Sequence, residues 1–298
     1  MKSKGRRLLG SRFRGNDRAN HTQPTVALAL GGGGARGLAH IAILEAFDEI
    51  GVKPVAIAGS SIGAAIGAAY AAGMSGKAIR RYLISVVHDR PDVLRRIVAA
   101  RAVAGLGGLL AGGLGNPMLL DALKFCDAFM PGSVPETFEK LGIPLLVMTT
   151  DLHGRYETVF ETGPLRPALA ASMTISGLIR PIEIDGRILV DGAAVNPLPF
   201  ECLRGRADIV VAIDTSVGPT TPRSIPDPWD ALFSTIQVMS HTIVAEKLKH
   251  GTPDVLIRPN VGAFRLLDFL QASAILRAAE PANAELKQRL AEVMGIER

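Results

Sequence analysis

At 298 residues, with 48% hydrophobic and 20% charged side chains and a mean hydropathy of +0.26, the chain can bury a sizeable core and has the balance of an ordinary α/β protein with an apolar lean. The formal charge of +5 is carried by one end. Residues 1–23 hold Lys2, Lys4, Arg6, Arg7, Arg12, Arg14 and Arg18 against Asp17 alone, so the remaining body is close to neutral, which argues against a nucleic-acid groove.

Residues 1–23 lack the apolar run of a secretory signal and read as a disordered basic tail, whose functional alternative is an arm drawn to anionic phospholipid. Residues 24–298 read as a single three-layer α/β domain. Cys126 and Cys202 are too few and too far apart for a disulfide framework or a metal site, and a reducing, cytoplasmic setting suits them. The most apolar stretch, Ile97 to Gly115, carries Arg101 and six glycines and is a poor membrane span. Its functional reading is a lid or the wall of an acyl-chain pocket; its plain reading is a connection between core elements.

The continuous apolar run Thr25–Leu30 predicts a strand buried on both faces. It enters Gly31-Gly32-Gly33-Gly34-Ala35-Arg36-Gly37, followed by a helix over Leu38–Ile50 that Gly51 stops. A second strand, Val55–Ala58, leads into Gly59-Ser60-Ser61-Ile62-Gly63 and a helix of mostly glycine and alanine reaching about Ala72. Basic helical sequence follows over Lys77–Val87, and Met118–Met130 reads as helix. Strands are expected at Pro144–Thr149 and Tyr156–Phe160, then a helix over Pro167–Ser176. A hairpin over Ile182–Asp191 turns on Asp185-Gly186. Ala207–Asp214 is another buried strand, Ala231–His250 an amphipathic helix, Val255–Arg258 a short strand and Leu266–Arg289 mostly helix.

Two motifs carry chemistry. Gly32 to Gly37 satisfies G-x-G-x-x-G between a strand and a helix, so a dinucleotide site is a rival reading. That site needs an acid at the end of the second strand, where this chain has Gly59-Ser60-Ser61, and no Gly-Lys-Ser/Thr follows to make a phosphate loop. The other use of such a loop is an oxyanion hole, with successive backbone N–H groups of the glycine-rich turn converging on an anion and Arg36 adding charge or bracing the loop. Gly59-x-Ser61-x-Gly63, between strand and helix, is the setting in which a serine hydroxyl is lifted above a sheet with the Ile62 amide free beside it. A serine nucleophile needs a base. Asp191 ends a strand before Gly192, which lets its carboxylate face a site. Ser61, Asp191 and His241 occur in the order of an α/β-hydrolase triad, although His241 sits in a helix pattern without a loop-making Gly or Pro nearby.

Taken together, G-G-G-A-R-G at 32–37, G-S-S-I-G at 59–63 and D-G-A at 191–193 resemble the patatin-like phospholipases. The stretch from Ala171-Ser172 to Gly177, Arg180-Pro181 and Asn196-Pro197 resembles the bacterial members, which are similar to the catalytic domain of neuropathy target esterase. The resemblance covers roughly residues 25–260, with serine at position 60 where many members carry threonine. It implies a serine–aspartate dyad, Ser61 as nucleophile and Asp191 as base, with no histidine, no calcium and no cofactor. It also implies an oxyanion hole from the amides of Gly32, Gly33 and Gly34, the motif glycines Gly37, Gly59, Gly63 and Gly192, and a lipid ester substrate met by peripheral contact with a membrane. For a carboxylate to serve as base near neutral pH, burial must raise the pKa of Asp191, or a tight hydrogen bond must join it to Ser61.

Overall fold

The computed structural model describes residues 23–101, 120–216 and 225–295. Its centre is an eight-stranded sheet with the hydrogen-bonded order β5-β6-β3-β2-β1-β7-β8 and β4 added on β3. The strands are β1 (Val26–Leu30), β2 (Ala56–Ser60), β3 (Leu145–Asp151), β4 (Tyr156–Phe160), β5 (Ile182–Ile184), β6 (Arg187–Asp191), β7 (Ile209–Ile213) and β8 (Val255–Ile257). The run from β3 through β2, β1 and β7 to β8 is parallel, while β4, β5 and β6 pair antiparallel. This is a three-layer α/β/α sheet, mostly parallel.

The strand alternation sorts the layers. Val26, Leu28 and Leu30 of β1 join a core with α1 (His40–Ile50), α2 (Ile62–Ala71) and α8 (Ala272–Met294). Ala27 and Ala29 face the other way, with Ala56, Ala58 and Ala212 beside them. On that small-residue face Leu198, Phe200 and Leu203 lie directly on the sheet, joined by Val244 of α7 (Pro228–Lys249). The helices α3 (Gly76–His88), α4 (Arg90–Ala99), α5 (Ala122–Phe129) and α6 (Leu165–Ser172) complete the set. Among the described residues no helix is long and apolar enough to cross a membrane. A cleft lined by Phe200, Arg204, Asp208 and Thr252 opens near the start of β7 and contains neither Ser61 nor Asp191.

Register decides what meets at the sheet's upper edge. Thr149 and Thr150 of β3 pair with both β4 and β6, so those two strands lie on opposite edges of β3. Val147 and Met148 pair with both β4 and β2. Strands β2 and β6 therefore share one edge of β3 and meet end to end. Ser60 closes β2 opposite Met148, and Asp191 closes β6 opposite Thr149, the next residue along.

The expected elements are present with shifted bounds. The helix expected from Leu38 begins at His40, and Gly34–Ala39, the end of the glycine loop with Leu38 and Ala39, form a 3-10 turn before it. The helix expected over Pro167–Ser176 spans Leu165–Ser172, because Met173 onward carries Thr174 into contact with Asp191. The hairpin turns on Asp185 (φ 52°) and Gly186 (φ 73°), as its sequence predicts. The basic tail lies outside the described residues, and so does the expected lid beyond Arg101; Ile97 to Ala99 end α4.

Helix α2 approaches β1 so closely that a Cβ on Gly63 would overlap the Leu30 carbonyl oxygen. Since that oxygen belongs to the central strand, it cannot move aside. Gly63→Ala should lower stability by about 3 kcal/mol or more, a fall in Tm on the order of 10 °C by circular dichroism. Gly132→Ala, where nothing lies within 4 Å of the added carbon, should change stability by no more than about 0.5 kcal/mol. Equal effects of the two changes would contradict this packing.

Candidate active site

Between the end of β2 and the start of α2 a single residue makes the turn. Ser61 takes φ 54° and ψ −126°, a conformation that L-residues avoid and that costs on the order of 1–3 kcal/mol. The surroundings hold it there. Its N–H donates to Ser172 Oγ at 2.9 Å, and its carbonyl accepts from the Ala64 and Ala65 amides at 2.9 and 3.2 Å. The side chain is only 5% exposed, and its hydroxyl donates to Asp191 Oδ2 at 2.6 Å.

Asp191 is fixed as firmly. Its Oδ1 accepts the Ala193 N–H at 2.8 Å, its own N–H donates to the Thr174 carbonyl at 3.2 Å, and its carbonyl accepts from Thr150 Oγ1 at 2.9 Å. Gly192 is required next, since a Cβ there would overlap the Met148 carbonyl on β3. Burial raises the Asp191 pKa to about 6, against the opposing pull of the hydrogen bonds from Ser61 and Ala193. Both conditions expected of a carboxylate base, burial and a tight bond to Ser61, are present, and they push in opposite directions.

The glycine loop stands beside this pair. A Cβ on Gly32 would lie 2.9 Å from the Ala193 Cβ and 3.5 Å from that of Ser61. The loop's amides are not equivalent, however. Gly32, expected among the oxyanion donors, gives its N–H to the Pro197 carbonyl at 2.9 Å, because the chain after Asp191 folds back over β1. Among the described residues the amides of Gly33, Gly34 and Ile62 have no protein acceptor. Arg36 is buried, and no described bond joins it to Ser61. Burial lowers its pKa to about 10, which leaves it a cation at neutral pH, with the charge of Asp214 opposing the shift. Its Nε is buried without a hydrogen-bond partner among the described residues.

No described hydrogen bond joins His241 to Asp191: the described partners of the two carboxylate oxygens are Ser61 and Ala193, and His241 Nδ1 is buried without a hydrogen bond among the described residues. The histidine near the loop is His40, whose Nε2–H donates to the Gly31 carbonyl at 2.7 Å; burial lowers its pKa to about 4, so it is neutral.

This geometry can be set beside known proteins. A family model of patatin-like phospholipases matches residues 28–203, more than half of the chain. The chain belongs to that family. It is 36% identical over 208 residues to an uncharacterised NTE family protein of Mycobacterium bovis, a match covering 70% of this chain and 53% of that one. To human patatin-like phospholipase domain-containing protein 6 it is 32% identical over 196 residues, covering 65% of this chain and 13% of the relative. The chain thus spans about half the length of the mycobacterial relatives it matches. Among solved structures, VipD from Legionella pneumophila aligns over 89% of this chain and 67% of its own, with a TM-score of 0.48 and 13% identity. The family match includes the glycine loop, the serine turn and Asp191.

Sequence reasoning did not find Ser172, Thr150 or Thr174 as supports of Ser61 and Asp191. The sole signal for Ser172 was its place in the stretch that resembles the bacterial members of the family.

The raised pKa of Asp191 has a consequence for stability. Below about pH 4 the carboxyl is protonated in folded and unfolded chains alike, and its burial carries no ionisation penalty. As pH rises through 6, the native state must ionise a buried group and that contribution to stability is lost. Asp191→Asn removes the titration. Its stability relative to the unsubstituted protein should therefore rise between pH 4 and pH 8, by at most about 3 kcal/mol. Thermal or urea unfolding across that range checks this, and a pH-independent difference would contradict it.

Proposed function

We propose that this chain is a serine acyl hydrolase acting on lipid esters, of the phospholipid or lysophospholipid kind, through a Ser61–Asp191 dyad. The observation that carries the reading is the 2.6 Å contact from Ser61 Oγ to Asp191 Oδ2, with no imidazole between them. Membership of the patatin-like phospholipase family supports the lipid class of substrate.

In this mechanism Asp191 takes the hydroxyl proton as Ser61 Oγ attacks the acyl carbonyl carbon. The carbonyl oxygen becomes an oxyanion held by the amides of the glycine loop and by the Ile62 amide at the N-terminus of α2. Collapse breaks the ester bond, and Asp191 returns the proton to the departing alkoxide, a lysolipid or glycerol oxygen. Water enters, loses a proton to Asp191 and attacks the acyl-enzyme. Fatty acid leaves as Ser61 Oγ recovers its proton. Each step uses groups of this chain, the ester and water. A base with a pKa of about 6 is largely ionised at pH 7 and accepts a proton more readily than an ordinary carboxylate. Such substrate is met at a lipid surface, so peripheral contact with the inner face of a membrane belongs to the same proposal.

Fatty-acid release from a panel of esters and phospholipids tests it. Ser61→Ala and Asp191→Asn should each lose about 10⁴-fold in turnover, the usual effect of removing a nucleophile or its base. His241→Ala should stay within about tenfold of the unsubstituted enzyme. A His241→Ala protein that is folded yet as inactive as Ser61→Ala would make this a triad hydrolase. The pH dependence follows from the same carboxylate. Asp191 accepts a proton only when ionised, so kcat/KM should fall as pH drops through about 6, and a rate flat from pH 8 to pH 5 would exclude it as the base.

A further inference from the structure

Four consecutive glycines follow β1, and the hydrogen bonds around them determine which peptide faces Ser61. The Gly31 N–H donates to the Ile213 carbonyl at 3.1 Å, Gly32 to Pro197 at 2.9 Å and Ala35 to Leu266 at 2.7 Å. The carbonyls are held as well. His40 Nε2–H donates to the Gly31 oxygen at 2.7 Å, and Thr215 Oγ1–H donates to the Gly32 oxygen at 2.8 Å. Thr215 is 1% exposed and packs so tightly on the loop that a Cβ on Gly33 would lie 2.5 Å from Oγ1.

No peptide described here is cis, and in a trans peptide the carbonyl and the following N–H point in opposite directions. Fixing the Gly32 oxygen therefore fixes the direction of the Gly33 N–H. Strand β1 lies between β7 and β2. Thr215 follows β7, so its hydroxyl draws the Gly32 oxygen toward that side. The Gly33 N–H is thereby turned toward the β2 side, where Ser61 stands and where the Cβ position of Gly32 already comes within 3.5 Å of the Ser61 Cβ. His40 does the same one peptide earlier. By holding the Gly31 oxygen it sends the Gly32 N–H to Pro197.

The constraint matters because the peptide lies between two glycines. Without side chains on either flank, a peptide flip meets little steric resistance. A flipped Gly32–Gly33 peptide would present its carbonyl oxygen, the negative end of its dipole, to the forming oxyanion. We propose that Thr215 is a positioning residue for the oxyanion hole: its hydroxyl locks the Gly32–Gly33 peptide so that the Gly33 amide, and not that of Gly32, faces the tetrahedral intermediate on Ser61. The inference rests on the acyl hydrolase reading and goes beyond it, since it assigns a donor and the residue that aims it.

Thr215→Ala and Thr215→Ser test this as a pair, because they lose the same γ-methyl and differ only in the hydroxyl. With p-nitrophenyl butyrate as substrate, Thr215→Ala should lower kcat about 10²-fold with KM within about threefold, the size of effect seen when an oxyanion donor is lost. Thr215→Ser should stay within about threefold of the unsubstituted kcat. Equal kcat values for the folded Ala and Ser variants would overturn the proposal, since a packing role does not distinguish them. Should Thr215→Ala fail to fold, amide NMR of the unsubstituted protein decides. Phosphonylation of Ser61 by a fluorophosphonate should move the Gly33 amide proton downfield more than that of Gly32, and the reverse order would overturn it. Hydrolysis that persists in Ser61→Ala, or is absent altogether, would remove the hydrolase reading and this inference with it. Hydrolysis lost in Ser61→Ala but equal in the two Thr215 variants would remove the inference alone.

Discussion

Strands β2 and β6 run toward each other along one edge of β3, and the catalytic proposal depends on where they stop. Ser60 pairs with Met148 and Asp191 with Thr149, so two segments 130 residues apart in the chain end on adjacent rungs. The backbone ladder sets this separation, and the side chains inherit it. A slip of one residue in either pairing would turn alternate side chains to the opposite face and separate the pair. Because the strand ends already bring the hydroxyl within 2.6 Å of the carboxylate, no third residue is needed to bridge them.

Holding that geometry runs against local preferences. Ser61 occupies a positive-φ conformation, and Asp191 places a carboxyl where its charge is poorly solvated. Both are offset by surroundings that leave little freedom. Ser172 and the first turn of α2 hold the serine backbone, while Ala193, Thr174 and Thr150 hold the aspartate. Beneath them the small-residue face of β1 and β2 admits the 198–203 segment, and the chain leading into it supplies the Pro197 carbonyl that captures Gly32. Ser61, Asp191 and the glycine loop thus share their supports. A change in residues 191–197 should act on all three.

Much of this was legible in the sequence where the signal is local. The apolar runs of β1 and β7, the glycine-flanked serine, the alanine-rich α2 and the Asp185-Gly186 turn each fall within a dozen residues. The three motifs, read together, also pointed to the family. What could not be read is set by tertiary pairing. Nothing near Gly32 indicates that its amide meets Pro197, 165 residues later, or that its carbonyl meets Thr215. The 3-10 turn at Gly34–Ala39 is a smaller case: the glycine loop reads without regular structure, but Ala35 is tied to the Leu266 carbonyl and the turn runs through Leu38 and Ala39, so α1 begins only at His40. His241 matches a triad by order alone, and the described structure gives it no hydrogen bond to Asp191.

The central claim is that Ser61 is a nucleophile activated directly by Asp191. Active-site labelling with an alkyl fluorophosphonate, followed by mass spectrometry of the digested protein, tests it most directly. The dyad predicts one adduct per chain, on Ser61, forming at least about 10²-fold more slowly in Asp191→Asn and at an undiminished rate in His241→Ala. An adduct on a different serine, or labelling of Ser61 that is indifferent to Asp191 and abolished by His241→Ala, would contradict it.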